Sequence, residues 1–237
     1  MFFVGSSAVA QNFDLYETKL KKKSKVLIFV HGGAWIGGSK SQYEQLGKKL
    51  AAAGFCAVIA DYRLAPGARH PKPVADLNAI VKKIESTPSK KCDNSEIYLI
   101  GHSAGAHMIA FWAGENNDKQ VKGFIGLEGI YDIPLLAKAW PDYKDWFLKS
   151  EFGDEESWAQ ASPTRKKMSN PSPWLLVQSE KDELIDTKQT LDFKEHLDDQ
   201  KISSELLLLK EESHFAVVEN LQKSDSILYK AILKFVK

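Results

Sequence analysis

Three things are scarce in this chain of 237 residues: cysteine, net charge and long apolar runs. Only two cysteines occur, Cys56 and Cys92. Cys56 lies in an apolar run and reads as a small core residue. Two thiols so placed suggest neither a disulfide framework nor a zinc site, and they favour a reducing compartment. Lysine and arginine number 32 against 31 acidic residues, a formal charge of +1. That balance gives no electrostatic footprint for nucleic acid or an anionic membrane as partner. The lysines at positions 19, 21, 22, 23 and 25 read as a solvated turn. No apolar run is long enough to span a bilayer, and repeats and low-complexity segments are lacking. These absences leave one α/β domain over 1–237, soluble and cytoplasmic, with a small molecule as its partner. They leave open whether it forms a homodimer.

The N-terminus offers two readings. Met1-Phe2-Phe3-Val4 followed by Ala8-Val9-Ala10 resembles the end of a signal peptide. The apolar core is short and the basic leader segment is missing. The alternation over 9–16 reads better as an edge strand.

Beyond it, strand-like and helix-like runs alternate. Strands are expected over 26–30, 56–60, 97–100, 121–127, 173–178 and 204–209. Helices are expected over 41–53, ending at Gly54, and over 73–86, where Val74, Leu77, Ile80, Val81 and Ile84 fall at helical spacing. Further helices are expected after the serine motif described below, between the last two strands, and over 216–236. Such alternation implies a mainly parallel, twisted sheet with helices on both faces. The segment 132–170 breaks the rhythm. It has no clear buried strand but carries Trp140, Tyr143, Trp146, Phe147, Phe152 and Trp158, and it reads as a small helical lid over the carboxyl ends of the strands. Most of these aromatics would pack the lid down, and one or two facing the site would shape a pocket for an aromatic group.

Two glycine motifs carry the chemistry. Gly101-His102-Ser103-Ala104-Gly105 sits between a strand and a helix, which is the setting of a nucleophile elbow. The tight turn exposes the Ser103 hydroxyl near a helix N-terminus, where backbone N–H groups can receive developing negative charge. The run ending at Val30 stops at His31-Gly32-Gly33-Ala34-Trp35, a loop whose backbone can supply the other oxyanion donors. Gly32, Gly33, Ala34 and Ala104 are the oxyanion candidates.

A serine nucleophile needs a base and the base an acid. Of six histidines, His31 and His102 fall within the glycine motifs, His70 in a proline-flanked loop, His107 inside the elbow helix and His196 on an exposed-looking helix. His214 follows the last strand, where the chain order nucleophile, acid, base puts it. The acid belongs after the preceding strand. Asp182 is the first candidate, with Glu180, Glu183 and Asp186 as rivals. Asp132 is a more distant rival that also reads as the N-cap of the lid's first helix, with Pro134 in its first turn. Trp35, His102 and Tyr131 are the expected substrate-binding residues. No metal and no organic cofactor is called for.

These motifs also carry a resemblance. His31-Gly32-Gly33-Ala34-Trp35 and Asp61-Tyr62-Arg63-Leu64-Ala65-Pro66 are similar to the hormone-sensitive-lipase-type esterases of the α/β-hydrolase fold. The segment from Glu96 to His107, then Gly129-Ile130-Tyr131-Asp132 with Pro134-Leu135, and His214-Phe215 with Val218-Glu219-Asn220-Leu221, resemble arylformamidases, or kynurenine formamidases. The resemblance implies Ser103 as nucleophile, Asp182 as acid, His214 as base, and hydrolysis of N-formyl-L-kynurenine to L-kynurenine and formate. The chain departs from the pattern at Glu128, where a small residue is common. The alternatives are a broad carboxylesterase for short acyl esters and, in another class, a non-catalytic small-molecule binding protein on the same fold. The latter usually lacks a triad residue, whereas here every role has a candidate.

Overall fold

The computed structural model describes residues 12–20 and 22–237. Its sheet has seven strands: β1 (Phe13–Tyr16), β2 (Ser24–Val30), β3 (Cys56–Ala60), β4 (Cys92–His102), β5 (Val121–Leu127), β6 (Trp174–Ser179) and β7 (Ser204–Leu209). Their spatial order is β1-β3-β2-β4-β5-β6-β7. β1 runs antiparallel to β3, and all the other pairs are parallel. The signal-peptide-like residues and the first part of the expected edge strand, residues 9–11, lie outside the described residues.

The helices are α1 (Glu44–Ala52), α2 (Lys72–Ser86), α3 (Ala104–Glu115), α4 (Ile133–Ala139), α5 (Lys149–Phe152), α6 (Thr187–Asp199), α7 (Ala216–Asn220) and α8 (Ile227–Phe235). Alternate residues of the central strands face opposite sides, and each side meets its own helices. Val26, Ile28 and Val30 share one apolar layer with residues of α2, α3 and α6. Leu27 and Phe29 share the other with α1, α7 and α8. With both faces covered, β2 has 0% exposure from Val26 to Val30, which is why its sequence is apolar throughout rather than alternating. Among the described residues no helix is long and apolar enough to cross a membrane.

The strand order positions the site. The chain leaves β2 toward β3 on one side and returns to β4 on the other. That reversal opens a crevice at the carboxyl ends of β2 and β4, where the two glycine motifs meet. The insertion between β5 and β6 contains α4, a π-helical turn (Lys144–Leu148), α5 and two short 3-10 turns. Asp132 caps α4 by accepting from the Leu135 N–H at 2.9 Å.

Two expectations are corrected. The single helix over 216–236 is two helices, α7 and α8. Ser226 separates them, its hydroxyl donating to the Asn220 carbonyl and accepting from the Tyr229 N–H, so it caps a new helix instead of continuing the old one. The cysteines are not separate: Cys56 and Cys92 form a disulfide. Both lie at the starts of strands that flank β2, where Val26 pairs with Cys56 and Ser24 with Cys92. The bond removes the ground on which a reducing compartment was expected. The denatured, unreduced protein should therefore show no titratable thiol, and two after reduction. Cys92→Ser should cost about 3–4 kcal/mol of stability by the loop-entropy relation for this span. Two free thiols before reduction would contradict the pairing.

Candidate active site

Ser103 follows β4 and stands at the N-cap of α3 with φ 55° and ψ −118°. Such a conformation costs a non-glycine residue of order 1–3 kcal/mol and persists only where the surroundings enforce it. Here they do. The Ser103 N–H donates to the Leu127 carbonyl at 2.9 Å, and its own carbonyl accepts from the N–H groups of Ala106 and His107. The first turn of α3 lies on the end of β2 so closely that a Cβ on Gly105 would sit 2.1 Å from the Val30 carbonyl oxygen. Glycine is required there, and Ser103 has nowhere else to go. Ser103 is 7% exposed and lines a cavity.

The glycine loop covers the serine from the β2 side. A Cβ on Gly32 would lie 3.0 Å from the Ser103 Cβ. The Gly33 carbonyl accepts from the Ile36 and Gly37 N–H groups and closes the loop. His31 Nδ1 lies 2.7 Å from the Gly32 carbonyl, and its Nε2 lies 3.4 Å from Asp61. The Tyr62 hydroxyl donates to the His31 carbonyl at 3.0 Å. His31 is thus a strut of the loop. The backbone of Ala104 belongs to the first turn of α3, whose N–H groups have no partner within the helix.

His214 lies in the loop between β7 and α7, with its Nδ1 2.8 Å from Asp182 Oδ2. Asp182 Oδ1 accepts from the Leu184 and Ile185 N–H groups at 2.8 and 2.9 Å. Burial works to raise the Asp182 pKa. Hydrogen bonds from His214, Glu128 and Leu184 outweigh it and hold the group at about 2. The rivals are engaged elsewhere. Glu183 accepts from the His214 backbone N–H, Asp186 caps α6, and Glu180 is exposed. His102 donates through Nε2 to the His214 carbonyl at 3.0 Å. Burial, with the nearby His214, pushes its pKa down to about 3, so the ring is neutral and ties the His214 loop to the elbow.

Ser103 and His214 line one cavity of about 370 Å³. Tyr143, Trp146 and Phe147 of the insertion, with Ile36, Ile130, Leu184, Ile185 and Phe215, form its apolar wall. Gly33 and Ala34 also reach it. None of the three expected substrate-binding residues does. Ala34 and Trp35 both have positive φ, which turns the Trp35 indole inward against His107 and Phe152, with 0% exposure. Tyr131 is buried too. Its ring stacks on Phe193 at 4.1 Å, in space left by the missing side chains of Gly126 and Gly129. His102 lines a neighbouring recess of about 320 Å³ rather than the Ser103 cavity. Phe215, 60% exposed at the mouth, was not foreseen, although its place beside His214 is the signal that could have found it.

Glu128, Asp182 and His214 also bring potential metal-binding atoms within 4.8 Å of one another. Their lone pairs are taken up: Asp182 meets His214, Leu184 and Ile185, and Glu128 meets Gln178 and Ser179. The donor set reads as a hydrogen-bonded chain rather than an open coordination shell.

Comparison with known proteins agrees with this architecture. Residues 13–197 match the BD-FAE family model. Esterase LipC of Mycobacterium tuberculosis is 30% identical over 212 residues, covering 79% of this chain and 52% of that protein. A kynurenine formamidase of Meyerozyma guilliermondii is 31% identical over 181 residues, covering 69% of this chain and 68% of that protein. The chain thus spans about half the length of the first of these relatives and two thirds of the second. The crystal structure of esterase B from Lactobacillus rhamnosis superposes with a TM-score of 0.80 at 16% identity, over 98% of this chain and 81% of that one. The fold is that of the α/β-hydrolases, and the chain belongs to the BD-FAE family.

Proposed function

We propose that this protein is a serine hydrolase that removes a small acyl group, formyl above all, from an aromatic amine, with N-formyl-L-kynurenine as substrate and L-kynurenine and formate as products. The observation that carries the reading is the shared cavity. Ser103 and His214, the latter paired with Asp182, line one cavity beneath an aromatic wall of Tyr143, Trp146, Phe147 and Phe215. An aryl leaving group fits such a wall. The likeness to a kynurenine formamidase supports it.

In this reading His214 takes the Ser103 proton as the hydroxyl oxygen attacks the formyl carbon. The oxyanion is received by the N–H groups of Ala104 and the Gly32–Ala34 loop, each donor contributing about 3–4 kcal/mol in the transition state. Asp182 holds the Nδ1–H tautomer and stabilises the imidazolium. His214 then protonates the aniline nitrogen, and the C–N bond breaks. Water, deprotonated by His214, releases formate from the acyl-enzyme. An aniline nitrogen donates less into the carbonyl than an alkylamine does, so the amide lies within reach of a triad. The likeness to LipC favours a second reading, a carboxylesterase for short acyl esters.

Ser103→Ala should abolish turnover while leaving the thermal unfolding transition in place; more than trace activity in the purified variant would remove Ser103 from its role. Asp182→Asn should lower kcat by about 10⁴-fold, and Asp186→Asn should change it little. A comparable loss at Asp186 would move the acid.

Substrate preference separates the two enzymatic readings. A pocket closed around a formyl group meets each added methylene with a penalty of about 1–3 kcal/mol. Specificity constants should fall from formyl to acetyl to butyryl on a common aryl leaving group, and N-formylkynurenine should be cleaved. Better turnover of butyryl esters, with N-formylkynurenine untouched, would leave the carboxylesterase reading standing.

A further inference from the structure

Behind the acid lies a second carboxyl group that the reaction above does not use. Glu128 follows β5 and is fully buried, at 0% exposure. It has φ 48°, so the backbone accepts strain to put a side chain there. Its Oε1 accepts from the Ser179 N–H at 2.8 Å, and its Oε2 lies 2.5 Å from Gln178 Nε2. Gln178 is itself held by the Thr190 hydroxyl at 2.7 Å. Gln178 Nε2 also lies 3.4 Å from Asp182 Oδ2, so the two carboxyl groups flank one amide, and oxygens of both acids and a ring nitrogen of His214 lie within 4.8 Å of one another.

Like charges this close in a buried site repel, which disfavours ionising both acids at once and favours a proton on one of them. Asp182 faces His214 and two backbone N–H groups, all of which favour its anion. The other titratable groups around Glu128 are Glu183, which opposes a second negative charge, and Tyr131, whose phenol burial keeps neutral.

We propose that Glu128 is a positioning residue: a neutral carboxylic acid that donates its proton to Asp182 and holds that carboxylate, ionised and oriented, on His214. Burial first, then Asp182, raises the Glu128 pKa to about 10, in keeping with this role. The proposal rests on the reading of Asp182 and His214 as acid and base.

Two substitutions test it. Glu128→Gln keeps a neutral donor of the same shape; the Gln178 amide can turn over to accept from it, with Thr190 accepting in turn. Glu128→Met keeps the volume and removes the donor. Glu128→Gln should retain kcat within about threefold, whereas Glu128→Met should lower it about tenfold or more at unchanged KM, as expected for loss of a hydrogen bond to a charged group. A stability measurement needs no substrate. Glu128 titrates near 10 when folded and near 4.3 in an unfolded chain. The unfolded state therefore sheds this proton first, and wild-type stability falls as pH rises between those values. Glu128→Gln lacks that slope, so its Tm advantage over wild type should grow from pH 5 to pH 8.5 by about 4 °C or more. A Tm difference that does not change with pH would show an ionised Glu128 and overturn the proposal, as would wild-type kcat in Glu128→Met. Residual activity in Ser103→Ala would instead unseat the triad reading and leave the stability slope intact.

Discussion

The site depends on one close approach, that of the first turn of α3 to the carboxyl end of β2. With the Gly105 Cα seated against the Val30 carbonyl, no side chain fits between helix and strand. Ser103 must then take up positive φ, and the N-terminal N–H groups of α3 open toward the crevice. Because β2 and β4 are neighbours, the same approach sets the glycine loop after β2 over the serine. The placement of Ser103 and of the backbone N–H groups proposed as oxyanion donors therefore follows from a single backbone contact, enforced by the buried strand Val26 to Val30 at its base.

His214 and Asp182, the proposed base and acid, are placed by a second, polar layer. His102, inside the elbow, hydrogen-bonds the backbone carbonyl of His214, so the residue next to Ser103 fixes the loop that carries His214. Glu183 takes the His214 N–H from the other side. The loop after β6 folds on Asp182 through the Leu184 and Ile185 N–H groups. Buried polar groups with these partners rigidify a site, whereas the same groups unpaired would destabilise it. The insertion adds the apolar wall, with Trp146 and Phe215 left exposed at the cavity mouth.

Much of this was legible in the chain. The parallel strands announced themselves because burial on both faces demands continuous apolar runs, and the elbow because its glycines answer a steric need. The reading of Asp132 as a helix cap matched the geometry for the same reason: capping is local chemistry. What escaped depends on contacts between distant segments or on backbone sign. Cys56 and Cys92 meet only because β3 and β4 both flank β2. Trp35 and Tyr131 looked like rim residues, but positive φ at Ala34 and Trp35, and the vacant space beside Gly126 and Gly129, send both rings into the core. Glu128 stood out in sequence only as a residue too large for its place. Its partner Asp182 lies 54 positions away on another loop, beyond the reach of any local pattern.

The central claim is that Ser103 is the nucleophile, activated by His214. Its most direct test is intact-mass and peptide mapping after treatment with an aryl fluorophosphonate, which reacts covalently with activated serines. The account predicts a single adduct, on Ser103, that forms far more slowly in His214→Ala. An adduct elsewhere, or labelling of Ser103 at an unchanged rate without the His214 imidazole, would contradict it.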